Sequence, residues 1–492
     1  MDNQIIENQE DINEILRVRR EKLQTLIDNG QNPFLKVKFD KTHSSQQVVD
    51  NFEQLENQSV SLAGRIVSKR IMGKASFCHI LDAQGTIQLY VRMDTVPNYD
   101  DFKSYDIGDI IGVCGSVFRT HLGEISIRAT SLELLSKSLL PLPEKFHGLK
   151  DTELRYRQRY VDLIASPEVK KIFITRSKII SAIRQYLDEL DFVEVETPIL
   201  SPLAGGANAR PFVTHHNTLD IDMFLRIAPE LYLKRLIVGG FERVYEIGRM
   251  FRNEGMDVRH NPEFTMLELY QAYADYNVMM DVAQGIFTVV ADKVIGSRQI
   301  EYEDTIIDLD KWTKISMIDA VKQYCNVDFN NLNDVSAVEE AKKLGIELEE
   351  RKRNWGYALY EIFDQLIESH LVQPTIVYDY PIEVSPLAKK KPTDTRLTER
   401  FEFFICAREM GNAFSELNDP IDQQARFDQQ AKQKAKGDDE AQPTDDDYVT
   451  ALSYGLAPTG GLGIGIDRMI MLFTNSRSIR EVLLFPTMKP IK

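Results

Sequence analysis

The stretch that decides the fold is Phe251-Arg252-Asn253-Glu254-Gly255, followed by Arg259-His260-Asn261-Pro262-Glu263-Phe264. A second stretch, Gly461-Leu462-Gly463-Ile464-Gly465-Ile466-Asp467-Arg468, lies about 200 residues further along the chain. Each stretch places an arginine beside polar or glycine-rich backbone. A guanidinium keeps its charge and offers a fork of donors that suits phosphate oxygens, and glycine lets backbone approach a ligand closely. Together the two stretches indicate a phosphate-binding site.

The chain around these stretches predicts a domain of mixed helices and strands that begins at about residue 144. Two strand-like runs, 243–252 and 263–273, flank the polar loop of the first stretch. Hydrophobic spacing predicts three further elements: a helix over Glu168–Asp191, a strand over Phe192–Glu196 that ends in Thr197-Pro198, and a helical segment over 335–371.

Upstream of that domain, residues 59–135 predict a small β-barrel. Five short strand-like runs occur there, at Ser59–Val67, Ser76–Leu81, Gly85–Met93, Asp109–Arg119 and Glu124–Leu135. Five strands in about 75 residues are typical of a barrel such as the OB-fold. Pro141 and Pro143 then predict a linker.

The N-terminal segment 7–28 predicts an amphipathic helix, because its apolar residues recur at helical spacing and Gly30 ends the pattern. Its basic residues are Arg17, Arg19, Arg20 and Lys22. They either contact an RNA backbone or form a solvated helix face, and the sequence leaves both alternatives open.

The composition indicates a globular protein of a reducing compartment. Hydrophobic residues make up 43% and charged residues 27% of the chain, which is ordinary for globular proteins, and no apolar run is long enough for a membrane span. The N-terminus, Met1-Asp2-Asn3-Gln4, lacks the regions of a signal peptide. The widely spaced Cys78, Cys114, Cys325 and Cys406 argue against a zinc site or a disulfide framework and indicate the cytoplasm.

The net charge of −16 does not exclude an RNA partner. Nucleic-acid contacts depend on local charge, and the predicted barrel is about neutral. Much of the acid lies elsewhere, in Asp438-Asp439-Glu440 and Asp445-Asp446-Asp447, which we expect to form a solvated surface loop.

The two opening stretches resemble motifs 2 and 3 of the class II aminoacyl-tRNA synthetases, at about 243–273 and 460–473, and Tyr186–Pro198 resembles their dimer-forming motif 1. The resemblance implies an α+β fold. Residues 144–492 would form the catalytic domain, with an antiparallel sheet flanked by helices. Residues 1–143 would form the N-terminal helix and an OB-fold anticodon-binding domain.

The same resemblance implies which residues bind ATP: Arg252, Glu254, Arg259, His260, Phe264, Glu409 and Arg468. Arg252 would hold the α-phosphate and the amino-acid carboxylate, and Arg468 the γ-phosphate. Glu254 would contact the adenine amino group while Phe264 stacks on the ring. The chemistry asks mainly for positioning and charge stabilisation, which makes the two arginines the catalytic candidates.

Glu402 and Glu409 are the candidate magnesium ligands. Residues 400–405 and 408–417 predict a hairpin, and a two-residue turn at Cys406-Ala407 would put Glu402 opposite Gly411 and diagonal to Glu409. Two such carboxylates would share Mg²⁺ with the phosphates of ATP, and a solvated acidic pair is the alternative. Strand alternation puts Glu409 and Asn412 on opposite faces, so a shared site requires a bulge, which we expect at Gly411.

The amino-acid site is identified by its carboxylates, because a buried ammonium needs anionic partners. The set Glu230, Glu268, Tyr270, Asn412 and Glu416 closely resembles that of bacterial-type class II lysyl-tRNA synthetases. By that resemblance Glu416 and Tyr270 hold the ε-ammonium with Glu268 nearby. Glu230 and the Gly206 backbone take the α-amino group, and Asn412 joins Arg252 at the carboxylate.

In the predicted barrel, Phe77, Gln88 and Glu124 match the anticodon-binding positions of this subclass. An aromatic face stacks an unpaired base, and an amide and a carboxylate contact its edge. The alternative is structural, with Phe77 in the core and Gln88 merely facing outward.

The resemblance therefore implies a cytoplasmic, homodimeric, magnesium-dependent enzyme that joins lysine to tRNA(Lys) with ATP, away from any membrane. An aspartyl or asparaginyl synthetase of the same subclass would need cationic or amide partners in place of the carboxylates. A relative that lysylates a protein would lack the barrel. A non-catalytic RNA-binding paralogue would have lost Arg252, Glu409 or Arg468.

Overall fold

The computed structural model describes residues 2–143, 149, 151–203, 205–207, 209–435 and 444–491. The acidic run at 438–440, expected to lie in a surface loop, falls outside the described residues. The chain divides into two compact units, Met1–Lys150 and Asp151–Lys492. Within the described ranges, no helix is both long and apolar enough to cross a membrane.

The first unit is built on a closed barrel of five strands in the order β1-β2-β3-β5-β4. These are β1 Ser59–Met72, β2 Ala75–Leu81, β3 Thr86–Arg92, β4 Ile110–Arg119 and β5 Ile125–Ser136. The predicted strands and barrel are confirmed. β1 continues beyond its predicted end at Val67, because it pairs with β4 from Ser59 to Arg65 and with β2 from Arg65 to Met72, around a bulge near Ile66.

The helices of this unit are α1 Asp2–Asp28, α2 Ser45–Asp50, α3 Phe52–Leu55 and α4 Tyr99–Ser104. The predicted N-terminal helix is confirmed, but two of its basic residues are engaged within the unit. Arg19 is buried and donates to the Ser138 carbonyl at 2.9 Å, and Lys22 pairs with Asp106 at 2.6 Å. Of the basic set, Arg17 and Arg20 remain exposed.

The second unit is built on an eight-stranded sheet in the order β14-β15-β18-β19-β20-β11-β10-β6. Its strands are β6 Val193–Glu194, β10 Arg243–Phe251, β11 Glu263–Ala272, β14 Thr313–Ser316, β15 Thr375–Tyr378, β18 Arg400–Phe404, β19 Glu409–Ser415 and β20 Thr459–Gly465. The pairs β14–β15 and β10–β6 are parallel and the others antiparallel. Smaller sheets contain β7 Leu200–Ser201, β8 Val213–His216, β9 Ile221–Leu225, β12 Gln299–Tyr302, β13 Thr305–Asp308, β16 Lys390–Lys391 and β17 Asp394–Thr398.

The helices of the second unit complete the α+β fold that the sequence predicts. They are α5 Thr152–Arg157, α6 Arg159–Ala165, α7 Pro167–Glu189, α8 Glu230–Val238, α9 Tyr276–Val290, α10 Met317–Cys325, α11 Asp334–Lys343, α12 Trp355–Leu366, α13 Pro420–Ala435, α14 Asp446–Ser453, α15 Ile466–Phe473 and α16 Ile479–Val482. The segment 335–371 is two helices rather than one, because the chain turns at Gly345, which has a φ of +86°.

The second acidic run, Asp445-Asp446-Asp447, begins a helix and does not form the expected surface loop. Asp445 is buried and accepts a hydrogen bond from the Tyr448 N–H at 2.9 Å, which caps α14, and it pairs with Arg235. A carboxylate at a helix N-terminus satisfies free N–H groups there, so these residues begin a helix.

The sheet is apolar on one face and polar on the other. Helices α7, α9 and α15 cover the apolar face, where Leu267, Phe403, Ala413 and Leu462 join one hydrophobic core. Because neighbouring residues of a strand point to opposite faces, the residues between them point away from that core. This alternation places the polar side chains of β11, β18, β19 and β20 on one surface.

The β18–β19 hairpin has the predicted two-residue turn, with a corrected register. Cys406 and Ala407 have φ of 56° and 54°, and the Ile405 N–H donates to the Arg408 carbonyl at 3.0 Å. The ladder then pairs Phe404 with Glu409 and Phe403 with Gly411, which leaves Met410 as the bulged residue, buried in the core.

Two predictions about this hairpin are therefore wrong in detail. Glu402 pairs with Asn412, not Gly411, and the bulge lies at Met410, not Gly411. Gly411 stays in the ladder, where a β-carbon would fall 2.5 Å from the Gly463 carbonyl oxygen, so only glycine fits between the two strands. The flexible side chain of Met410 fills the core instead.

Candidate active site

The polar face of the sheet lines a cavity of about 410 Å³. The cavity brings together every residue that the sequence assigned to ATP, lysine or magnesium: Gly206, Glu230, Arg252, Glu254, Arg259, His260, Phe264, Glu268, Tyr270, Glu402, Glu409, Asn412, Glu416 and Arg468. They come from distant parts of the chain, and the sheet register, the helices α8 and α15 and the loops beside them bring them together.

The glycines of β20 give this cavity its depth. Tyr270 pairs with Gly461, and both Glu268 and Asn412 pair with Gly463 across the neighbouring strands. A β-carbon at Gly461 would fall 2.1 Å from Glu416 Oε1 and 2.6 Å from the Tyr270 ring. The glycine pattern, which the sequence indicated as a phosphate contact, also provides room for the side chains of the amino-acid end.

Two arginines lie at the nucleotide end of the cavity. The Arg252 guanidinium lies 5.1 Å from the Phe264 ring centroid, and burial lowers the pKa of Arg252 below its ordinary value against the opposing effect of Glu254. Its Nε has no hydrogen-bond partner in the part of the chain that the structure describes. Arg468 donates to the Glu409 carbonyl at 2.7 Å and to Glu409 Oε2 at 3.1 Å.

Arg468 follows a buried ion pair that the sequence did not reveal. Asp467 contacts Arg176 of α7 at 2.5 Å and accepts the Thr265 N–H of β11 at 2.7 Å. These contacts hold the start of α15 against β11 and so position Arg468. An aspartate beside a motif arginine gives no sequence signal for this role, because both of its partners are distant in the chain.

The loop between β10 and β11 is ordered by Asp257. This carboxylate accepts the Arg259 N–H at 2.6 Å and the His260 N–H at 2.7 Å, and it contacts the His260 ring. Burial acts to raise the pKa of Asp257, but these hydrogen bonds lower it to about 2. Arg259, His260 and Glu254 are exposed here, at the open side of the cavity.

The two metal candidates both face the cavity, although they lie in different environments. Glu402 accepts hydrogen bonds from the Tyr380 hydroxyl at 2.9 Å and from Arg400 at 2.5 Å, while Glu409 contacts Arg468. Burial raises the pKa of Glu402 to about 7, against the effect of Arg400. Arg400, which the sequence analysis missed, also donates to Asn412 at 2.9 Å and so joins the metal and amino-acid ends.

At the other end of the cavity three carboxylates are buried together. Glu230, Glu268 and Glu416 are 7%, 5% and 1% exposed. Tyr270 donates to Glu268 at 3.1 Å, and burial together with the charge of Glu230 raises the pKa of Glu268 to about 8. Burial also raises the pKa of Glu416 well above its ordinary value. Such a group of anions is stable only with cations nearby.

One cation of this end belongs to the chain itself. Lys234 is buried one helical turn after Glu230 and contacts both Glu230 and Glu416. The sequence analysis missed it, although a glutamate followed four residues later by a lysine on a helix is a recognisable pair.

In the barrel unit, the three anticodon candidates share one outer face. Phe77 is half-buried outside the hydrophobic core, and its ring lies 5.1 Å from that of Tyr90. Gln88 donates to Glu124 at 2.7 Å, and His79 contacts the same carboxylate at 2.9 Å. The core alternative for Phe77 is therefore wrong, whereas Gln88 does face outward, as its structural alternative had it, and is buried there beside Glu124. Tyr90 and His79 were missed.

Family models match both units. The model for tRNA synthetases class II (D, K and N) matches residues 151–489, and that for the OB-fold nucleic acid binding domain matches residues 60–135. A class II tRNA synthetase preceded by an OB-fold barrel is thus the class of protein that the fold and cavity define.

Curated relatives narrow the class. A protein of Thermoanaerobacter sp. (strain X514) named lysine–tRNA ligase is 58% identical over 98% of this chain and 97% of its own length. Proteins of the same name from Carboxydothermus hydrogenoformans and Bacillus cytotoxicus are 56% and 54% identical, over 99% and 98% of this chain and 100% and 98% of their own lengths. The chain belongs to the lysine–tRNA ligase family of class II tRNA synthetases.

Proposed function

We propose that this chain is a lysine–tRNA ligase, which activates L-lysine with ATP and transfers it to the 3′ end of tRNA(Lys). The observation that carries the proposal is the buried group of Glu230, Glu268 and Glu416 beside Tyr270. An aspartate or asparagine substrate offers these anions no positive side chain. The names of the relatives agree with this choice.

In the first step, a lysine carboxylate oxygen attacks the α-phosphorus of ATP. A new P–O bond forms, the bond to the bridging oxygen of the β-phosphate breaks, and pyrophosphate leaves. Arg252 carries charge to the α-phosphate and lysine carboxylate, and Arg468 to the γ-phosphate, without losing protons themselves. Their fixed positions lower the reorganisation that the transition state needs.

The nucleotide contacts we propose combine stacking and charge. The Arg252 guanidinium lies over one face of the Phe264 ring. We propose that adenine stacks on the opposite face. Glu254 accepts a hydrogen bond from the adenine amino group. Arg259 and His260, on the loop ordered by Asp257, contact the outer phosphates.

Glu402 and Glu409 are the residues we propose to hold magnesium. Among the described residues, no three His, Cys, Asp or Glu side chains converge into a complete metal site. Two carboxylates on the cavity wall nevertheless fit Mg²⁺, which binds one or two carboxylates and takes its other ligands from phosphates and water. When bound, the ion neutralises negative charge on the phosphates.

For lysine, we propose that Glu416 and Tyr270 hold the ε-ammonium with Glu268 beside them. Glu230 and the Gly206 backbone bind the α-ammonium, and Asn412 with Arg252 binds the carboxylate. In the second step the terminal hydroxyl of tRNA attacks the lysyl carbonyl carbon, the C–O bond to AMP breaks, and AMP leaves.

We further assign residues 1–143 to anticodon binding, through Phe77, Gln88 and Glu124, and residues 144–492 to catalysis. A homodimer formed through motif 1 at 186–198 is supported by Val193 and Leu200, which are exposed apolar residues in or beside that segment. The four free cysteines support a reducing cytoplasm as the site of action.

The test is ATP–pyrophosphate exchange with each proteinogenic amino acid in turn. We expect strong exchange with lysine and background with aspartate and asparagine. Glu416→Gln should lose about 3–5 kcal/mol of transition-state stabilisation, because a buried cation loses its partner. Glu301→Gln, at an exposed glutamate, is the matched control. Exchange with aspartate that equals the exchange with lysine would overturn the assignment of lysine as the substrate.

A further inference from the structure

Lys234 is an internal cation at the amino-acid end of the cavity. Its side chain is 0% exposed, and its Nζ contacts Glu230 at 2.5 Å and also contacts Glu416. The rings of Tyr270, Phe414 and Tyr448 surround the ammonium, with centroids 5.4 to 5.9 Å away. A cation enclosed by two carboxylates and three aromatic faces is held in one place.

The charges here balance only when Lys234 is counted. Once the substrate ammonium has displaced any bound proton, Glu230, Glu268 and Glu416 supply three negative charges, and Lys234 supplies one positive charge. The remaining two negative charges equal the two ammonium groups of free lysine, whose carboxylate would face Arg252. Buried charge without a partner is strongly unfavourable, so this count determines which substrate charge the cavity accepts.

The contacts of Glu416 support the same account. Lys234 forms an ion pair with Oε2 of this carboxylate, although neither oxygen has a hydrogen-bond partner in the described residues, and Oε1 lies over the bare backbone of Gly461. Burial acts to lower the pKa of Lys234, but Glu230 and Glu416 raise it well above its ordinary value, so the ammonium stays charged. Lys234 thus neutralises Glu416 from the side of Oε2, and Oε1 is left for a ligand.

We propose that Lys234 is a specificity-determining positioning residue, a permanent counterion that leaves two of the three carboxylate charges for a substrate with two ammonium groups. The inference rests on the lysine–tRNA ligase activity proposed above. Lys234 acts through Glu230 and Glu416 and contacts no reacting atom, so it governs lysine binding and not the rate of adenylyl transfer.

The test compares Lys234→Met with the wild type in lysine-dependent ATP–pyrophosphate exchange. The KM for lysine should rise about ten- to a hundredfold while kcat at saturating lysine changes little. Without Lys234, a proton should occupy Glu230 or Glu416, which bind the substrate ammonium groups, and lysine would have to displace it, so the KM of the variant should fall more steeply than that of the wild type as pH rises from 7 to 9. The groups that face this change are Glu230 on α8, Glu268 and Tyr270 on β11, Glu416 after β19 and Tyr448 on α14.

Two controls separate charge from packing. Lys234→Arg keeps the charge and should stay closer to the wild type than Lys234→Met does. Arg235→Met removes a cation from the same helix, where Arg235 pairs with Asp445 and Asp447 outside the cavity, and should leave the KM for lysine unchanged.

The outcomes distinguish this inference from the function on which it rests. A wild type without lysine-dependent exchange overturns the proposed function. An active wild type with an unchanged KM and pH profile in Lys234→Met overturns the role of Lys234, and a lower KM would show that Lys234 blocks the site. If Lys234→Met does not fold, Lys234→Met/Glu416→Gln should recover folding because it restores the balance. Failure to recover would leave Lys234 as packing only.

Discussion

At the scale of single residues, burial decides the chemistry of the cavity. Glu268 is an ordinary glutamate in the sequence, yet burial and the neighbouring charge of Glu230 raise its pKa to about 8. At neutral pH the empty site therefore binds a proton that an incoming ammonium must displace. This coupling makes lysine binding depend on pH.

We expect the KM for lysine to fall about tenfold per pH unit between pH 6 and 8 and to level off above the pKa of Glu268. The sign follows because the ammonium binds the ionised carboxylate, which gains population as pH rises. Exchange kinetics at fixed ATP and magnesium measure it. Glu268→Gln should weaken binding and flatten the profile, and a flat profile in the wild type would contradict the assignment.

A second prediction concerns Glu409. Glu409→Ala removes a proposed metal ligand but keeps the backbone carbonyl that holds Arg468, so the magnesium concentration for half-maximal exchange should rise at least about tenfold, or about 1.4 kcal/mol. Glu409→Gln should behave similarly, since an amide is neutral. Glu303→Gln, which loses an ion pair to Arg408 at the same hairpin, is the control. Normal turnover of Glu409→Ala at limiting magnesium would reject the site.

At the scale of elements, the β18–β19 hairpin shows how far sequence reasoning reaches. The need for a bulge between Glu409 and Asn412 follows from strand alternation alone. Its place at Met410 does not, because that depends on the approach of Gly411 to β20, a strand distant in the chain. For Lys234, the local pair with Glu230 was open to sequence reasoning, but the contact with Glu416 was not, since Glu416 comes from another part of the fold.

The turn of the β18–β19 hairpin is a place where substitution should raise the stability of the second unit. Cys406 and Ala407 both adopt the left-handed conformation, which glycine and asparagine tolerate better. We expect Cys406→Asn/Ala407→Gly to stabilise the second unit by about 1 kcal/mol, measured as a raised melting temperature. Ala413→Gly, in the extended part of β19, should lower it, and a lower melting temperature in the turn variant would contradict the strain.

At the scale of the whole molecule, the chain divides into two compact units, to which we assign two separate tasks. The change in pattern near residue 144 predicts two domains, because short alternating strands give way to long helices there, and the compact units meet at residues 150 and 151. The barrel face with Phe77, Gln88 and Glu124 belongs to one unit and the cavity to the other. Their functions should therefore respond separately to mutation.

Phe77→Ala should leave lysine-dependent pyrophosphate exchange unchanged while tRNA charging loses about 1–3 kcal/mol, the value of one stacked base. The loss should appear with a UUU or CUU anticodon and shrink when the central U is already replaced. Contacting partners couple in such a cycle and independent sites add. Leu122→Ala, on an exposed barrel loop, is the control, and additive losses would return Phe77 to a structural role.

The bare backbone at Gly461 also limits how this chain changes over generations. Every missense change of a glycine codon adds a β-carbon, and here that atom would fall 2.1 Å from the Glu416 carboxylate. If an inhibitor contacts the Gly461 backbone, we expect that substitution of Gly461 cannot give a resistant and active enzyme. We expect drug resistance selected in growing cells to arise elsewhere in the gene, and sequencing of resistant isolates would reveal any exception.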